Sequence, residues 1–270
     1  MAEETIKNQI VHLKNNSLLK VSSTLALTNK LLQEIENRNV LPSNDFRVSI
    51  PDINFQKYLT DTFGIVITDN SVAYGDIKHI EKIKCSYDEN KSWHKIKSLE
   101  GIQHFTALIF LGCSSNQLTD LDVSKNTALT SLNCGSNQLR DIDVSKNTAL
   151  TYLNCFDNHI AGLDVSKNMI LSRLVCGHNQ LAYLDVSQNK VMSRLYCDDN
   201  QLTDLDVSQN KKLTHLYCGN NKLTELDISQ NKVLTSLHCF ENQIKDLYVS
   251  QNTALKDSMI IVDKTVKIYR

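Results

Sequence analysis

From Cys113 onward a cysteine returns every 21 residues, at Cys134, Cys155, Cys176, Cys197, Cys218 and Cys239. Each sits in the same frame, L-x-x-L-x-C-x-x-N-x-L, as in Leu129-Thr-Ser-Leu132-Asn-Cys134-Gly-Ser-Asn137-Gln-Leu139. One unit of this length cannot bury its own apolar side. Stacked units can, so a fixed short period dictates a solenoid with one continuous core.

Each unit holds two half-turns. One runs Leu129-x-x-Leu132-x-Cys134-x-x-Asn137 and the other Leu139-x-x-Ile142-x-Val144-x-x-Asn147. Apolar groups two apart follow the strand period, so each coil is expected to carry two short extended segments on opposite sides of a flat core. The apolar columns repeat almost unchanged, from Leu111 to Leu237 and from Val123 to Val249. Two Asn columns, Asn116 to Asn242 and Asn126 to Asn252, close the half-turns. Asn tolerates tight turns and bonds nearby backbone groups, so both columns read as structural ladders.

Charge and composition narrow the functional classes. A formal net charge of -1 over 270 residues gives no basic excess for nucleic acid or an anionic membrane. No apolar run reaches the roughly 18 residues of a membrane span. The start, Met1-Ala-Glu-Glu-Thr-Ile-Lys-Asn, does not read as a secretory signal, which favours a cytoplasmic location. Cysteines stacked in register point the same way, which suits neither a disulfide nor a tetrahedral metal site. They read as reduced packing thiols. No cofactor or metal is expected. The scattered histidines form no catalytic spacing, so the chain reads as non-enzymatic.

The flanks differ from the array. Residues 1–40 read as a helical segment, with Leu18, Val21, Leu25, Leu32 and Ile35 at helical spacing. Residues 41–49 read as a linker. Residues 50–107 read as an N-terminal cap and a degenerate first repeat. There Asp52 should cap a short helix carrying Phe55, Tyr58, Leu59 and Phe63, with Gly64 as its stop. Ile80-x-x-Ile83-x-Cys85 repeats the strand frame, but Cys85 lies 28 residues before Cys113. The seven extra residues fall within Tyr87 to His94, where Trp93 either folds back on the cap or stands exposed. Residues 108–252 are the regular array, and residues 253–270 a strand cap with a turn at Asp263-Lys264.

These units resemble the 21-residue cysteine-ladder leucine-rich repeats of bacterial internalin J-like proteins. Ile50-Pro-Asp-Ile-Asn-Phe-Gln-Lys-Tyr-Leu59 and Ser98-Leu-Glu-Gly-Ile-Gln-His-Phe-Thr-Ala-Leu108 look like that family's cap and first repeat. The resemblance implies an α/β solenoid, a right-handed leucine-rich-repeat array of about eight coils, mostly β. It also implies a protein-binding role, often at a bacterial surface. The stretch Thr68 to Asp76 does not keep the calcium spacing of an acidic loop.

Specificity in such an array belongs to its variable outward positions. Beside the Leu and Cys of each strand these collect Phe110, Tyr152, Phe156, Arg173, Arg194, Tyr196, His215, Tyr217, His238 and Phe240. Exposed Tyr and Arg are the usual material of binding hot spots. A protein ligand on this concave, Cys-bearing face is therefore the expected partner, with Arg173, Arg194, His215 and His238 as a cationic patch. Two other roles are open: a cytoplasmic adaptor docking through residues 1–40, or a secreted effector or adhesin. The opposite face stacks acids, Asp120, Asp141, Asp204, Glu225 and Asp246 beside Asp122, Asp143, Asp164, Asp185, Asp206 and Asp227. Like charges in register repel, so Ser124 and its equivalents are expected to donate hydrogen bonds to them.

Overall fold

The computed structural model describes residues 42–270. The chain divides into two units, Met1–Phe46 and Arg47–Arg270. The helical segment expected over residues 1–40 lies outside the described residues. Within the first unit, the Phe46 N–H donates to the Ser43 carbonyl at 2.9 Å and closes a turn.

The second unit opens on a hairpin. Strand β1 (Arg47–Ser49) pairs antiparallel with β2 (Ser71–Ala73), with Val48 opposite Val72. Residues 47–49, placed in the linker by sequence, thus belong to the folded cap. Two left-handed residues, Asp69 and Asn70 (φ 51 and 53°), make a tight turn just before β2. Between the strands lies helix α1 (Ile53–Phe63), with Asp52 and Gly64 at its ends as expected. The Asp52 carboxylate accepts the N–H groups of Asn54 and Phe55 through one oxygen. Its other oxygen accepts those of Lys97 and Ser98, at 2.7 and 3.1 Å. One side chain thus caps the helix and ties it to the first full coil.

Phe55, Tyr58 and Leu59 face inward from α1, and the buried Tyr58 hydroxyl accepts the Lys84 N–H at 2.8 Å. Trp93 is 7% exposed and meets Tyr58 edge-on, ring centroids 5.1 Å apart. The inserted loop therefore folds back on the cap. A short helix α2 (Tyr74–Ile77) leads to β3 (Lys82–Lys84), the strand of the degenerate repeat. Gly101 has φ 96°, and any side chain there would strike the Ser49 carbonyl and the Ile50 side chain. The cap hairpin and the first coil approach too closely for anything larger than glycine.

Seven strands follow at the 21-residue period: β4 (Phe110–Gly112), β5 (Ser131–Asn133), β6 (Tyr152–Asn154), β7 (Arg173–Val175), β8 (Arg194–Tyr196), β9 (His215–Tyr217) and β10 (Ser236–His238). A strand β11 (Asp246–Tyr248) lies outside their sheet. Strands β12 (Ile260–Ile261) and β13 (Lys267–Tyr269) end the chain. The main sheet has nine parallel strands, ordered β12-β10-β9-β8-β7-β6-β5-β4-β3. Its register sets each core Leu against the next, as Leu153 against Leu174 and Leu174 against Leu195. This is a leucine-rich-repeat solenoid of about eight turns.

The core is the stacked columns. Leu111 through Leu237 and Cys113 through Cys218 are fully buried, as are Val123 through Val207 on the far side. All eight cysteines are free and buried. Burial pushes the thiols up, those of Cys85 and Cys155 to about 12, so they stay protonated and unreactive.

The Cys half-turn forms strands as expected; the Val half-turn does not. From Asp120 to Val123 and in the equivalent stretches no strand is formed, and β11 against β13 is the exception, in the last coil. Two successive turns account for this. The Asn126 N–H bonds the Val123 carbonyl at 3.0 Å, then the Leu129 N–H bonds the Asn126 carbonyl at 3.0 Å. These local bonds replace ladder bonds to the neighbouring coil. The Val side is joined to its neighbour by Asn side chains instead. The Asn147 amide donates to the Val123 and Asn126 carbonyls of the preceding coil, at 3.0 and 2.9 Å.

Candidate functional site

Because strand side chains alternate, burying Leu and Cys sends the residues on either side of each Leu outward. On β6 to β10 those positions carry a contiguous ladder. The Arg173 guanidinium lies over Tyr152 at 5.2 Å and over Tyr196 at 5.4 Å. Tyr196 meets Tyr217 edge-on, centroids 4.8 Å apart. Tyr217 stacks on His238 at 3.8 Å with an interplanar angle of 5°, and His215 lies 6.4 Å from the Tyr217 ring. Arg194 is exposed; the others are partly covered by one another.

The structure thus brings together Tyr152, Arg173, Tyr196, His215, Tyr217 and His238 from the predicted set. Arg194 lies in register between Arg173 and His215, and the three phenylalanines are set apart. Phe110 sits at the N-terminal end, under the Lys84 ammonium at 5.9 Å. Phe156 and Phe240 lie beyond the strands, on the rim that follows each cysteine. There glycines make room for bulk on the next coil: a methyl on Gly219 would stand 2.8 Å from the Phe240 ring.

The cationic patch is smaller than the sequence suggests. Burial holds the His215 imidazole below its usual range, and the Arg194 charge adds to this. Burial likewise lowers His238. Both are neutral near pH 7, so the positive charge on this face is that of Arg173 and Arg194. The Arg173 Nε is buried without a partner, which leaves the two aromatic faces as the main hold on its guanidinium.

Two residues past each cysteine from Cys113 to Cys239, the chain turns through a left-handed residue that is never glycine. Ser115, Ser136, Asp157, His178, Asp199, Asn220 and Glu241 all have φ between 51 and 59°. This rim column was not singled out from the sequence, although its shift from Ser to Asp, His and Asn keeps the same 21-residue period. In it the His178 Nε2 lies 3.0 Å from an Asp199 carboxylate oxygen.

The acidic face is stabilised largely by its own backbone. Asp122, Asp143, Asp164, Asp185, Asp206 and Asp227 each accept the N–H of the Ser two residues on, at 2.8–2.9 Å. Hydrogen bonds from Ser145 and Ser166 hold Asp143 and Asp164 below the usual carboxylate range, with Lys146 and Lys167 contributing less. Toward the C-terminal end this face forms an open groove of about 520 Å³ lined by Asp204, Asp206, Glu225, Asp227, Asp246 and Tyr248. Among the described residues no helix is long and apolar enough to cross a membrane.

The family described as Leucine Rich repeats (2 copies) matches residues 106–147. No curated protein matches the sequence. Among solved structures, the functional domain of InlJ from Listeria monocytogenes, described as including a cysteine ladder, is 30% identical. The match covers 84% of this chain and 63% of that one, with a TM-score of 0.49. A leucine-rich-repeat protein of Leptospira interrogans is 24% identical over 71% of this chain and 51% of its own, TM-score 0.61. Internalin C2 of Listeria monocytogenes is 22% identical over 82% of this chain and all of its own, TM-score 0.70. The chain therefore spans 63% and 51% of the first two. By its 21-residue coils, its buried cysteine column and the architecture it shares with internalin C2, the chain is a leucine-rich-repeat protein with an internalin-like solenoid fold.

Proposed function

We propose that this protein is a non-enzymatic recognition module that binds a protein ligand on the outward face of its nine-stranded sheet. One observation carries the reading. Five consecutive coils present an unbroken series of stacked rings and one guanidinium, Tyr152, Arg173, Tyr196, Tyr217 and His238. These side chains are already ordered by one another, so little conformational entropy is lost when a partner covers them. Large amphipathic rings and Arg are the groups that dominate protein interfaces. The neighbouring Arg194 adds positive charge, which favours a ligand with an acidic or carboxylate-bearing segment.

The test is an affinity pull-down from native lysate, with wild type beside a variant combining Arg173→Ala, Tyr196→Ser and Tyr217→Ser, read by mass spectrometry. All three positions face outward, and matching melting curves verify that the variant folds. A protein captured by wild type and lost from the variant supports the reading. Identical capture by both overturns it.

A further inference from the structure

We propose that His178, Asp198 and Asp199 form a binding site for a divalent transition-metal cation of the zinc class, held between two successive coils. The site lies on the rim next to the sheet face, and it stands independently of the reading above. Each of the three residues offers a ligand atom, and these atoms lie within 4.8 Å of one another. His178 Nε2 and Asp199 Oδ2 are 3.0 Å apart. Two ligands bonded to one zinc at about 2.1 Å stand roughly 3–3.5 Å from each other, so only a small closing movement is needed.

The backbone fixes the approach. His178 and Asp199 occupy the same left-handed position in neighbouring coils, φ 51 and 54°. The His178 N–H donates to the Asp198 carbonyl at 2.9 Å, and the Asp199 N–H to the Gly219 carbonyl at 3.0 Å. The side chains are also supported. Phe156 packs edge-on against the His178 ring, centroids 4.8 Å apart. The Asn220 side-chain amide donates to Asp199, the kind of outer support that orients a metal ligand. Gly177 clears the space for Asp198: a methyl there would lie 3.1 Å from its carboxylate oxygen.

Charge favours occupancy. Asp198 is half-buried, and Asp199 beside it adds like charge. A divalent ion removes that repulsion, and one imidazole nitrogen with carboxylate oxygens suits zinc better than calcium or magnesium, which take oxygen ligands. The exposed side of His178 leaves positions open for water. The sequence shows no metal motif because the ligands are 20 and 21 residues apart and meet only when coils stack.

The full chain, stripped with a chelator, would be titrated with ZnCl2 by calorimetry and with CoCl2 by visible absorption. One equivalent of Zn2+ is expected. Affinity should fall at least about tenfold in His178→Asn and in Asp199→Asn, substitutions that tolerate the left-handed backbone. Cobalt should bind without the intense thiolate charge-transfer band that cysteine ligation gives. Absence of Zn2+ binding by wild type, unchanged affinity in both variants, or a thiolate band would each overturn the proposal. A thiolate band in the wild-type spectrum overturns the proposal even if neither variant folds.

Discussion

Each coil has two sides built from nearly the same formula, yet they fold differently. Around Cys155 the chain forms a strand, and beyond it backbone bonds continue to the next coil. The N–H groups of Cys155, Asp157 and Asn158 donate to the Val175, Gly177 and His178 carbonyls at 2.9, 3.0 and 3.1 Å. Around Val165 the backbone makes local turns, and the Asn168 side chain reaches the Val144 and Asn147 carbonyls of the preceding coil. The same alternation of apolar residues therefore yields a ladder on one side and a turn stitched by amides on the other. The difference lies in the turn that follows each apolar pair. Beyond Val165 the Asn168 and Leu171 N–H groups bond the Val165 and Asn168 carbonyls of the same coil, at 3.0 and 2.9 Å; beyond Cys155 the left-handed Asp157 keeps its N–H on the Gly177 carbonyl of the next coil.

The contrast predicts the largest effect in amide exchange. Local opening energies range from near zero to the full stability of the domain. The Cys155 and Asn158 amides should exchange at least about a thousandfold more slowly than the Val165 amide by hydrogen–deuterium exchange. Equal protection on both sides would break the comparison. Next in size, Leu174→Ala at the fully buried centre of β7 should lower stability by about 2–5 kcal/mol, measured by urea unfolding. Asn168→Ala removes the side-chain donor from two buried carbonyls, which keep their backbone bonds from Asn147 and Leu150, and should cost about 1–2 kcal/mol. A loss below about 0.5 kcal/mol would mean that apolar packing alone joins the Val sides.

Smaller still is a pH effect confined to the sheet face. The pKa values of His215 and His238 are lowered in the fold. The unfolded chain therefore binds more protons below about pH 6.5, and stability contributed by neutral imidazoles is lost as pH falls from there through the folded values. NMR titration should show both rings charging below the pH at which an exposed histidine does. The smallest effect is expected for Asp164→Asn. Asn still accepts the Ser166 N–H, and the exposed carboxylate is screened, so the melting temperature should barely change.

Much of this was legible from residues alone, because a repeat states its own neighbours. Knowing that Leu153 recurs as Leu174 and Leu195 is enough to stack them. Asp52, Gly64 and the cap helix were readable because capping is local chemistry. The Val-side turns escape such a reading because a spacing of two looks like a strand whatever turn follows it. At the proposed site, Tyr152, Arg173 and Tyr196 were found by reading down columns. Their stacking, and the lowered imidazoles of His215 and His238, depend on distances that a column does not contain. Strand β1 escaped because its partner Ser71–Ala73 is remote in sequence and outside the period.

The left-handed residue that ends each Cys half-turn has a further consequence. Positive φ disfavours bulky and β-branched side chains and is several-fold enriched in Asn, Asp and His. A backbone requirement thus acts as a filter on the alphabet at one position in every coil. The residues it admits are short, polar and rich in lone pairs. When such a unit is duplicated and its copies diverge, the rim accumulates coordinating and hydrogen-bonding groups in register, with no selection for chemistry at the start. Asp157, His178, Asp199 and Asn220 in four consecutive coils are what that filter leaves behind.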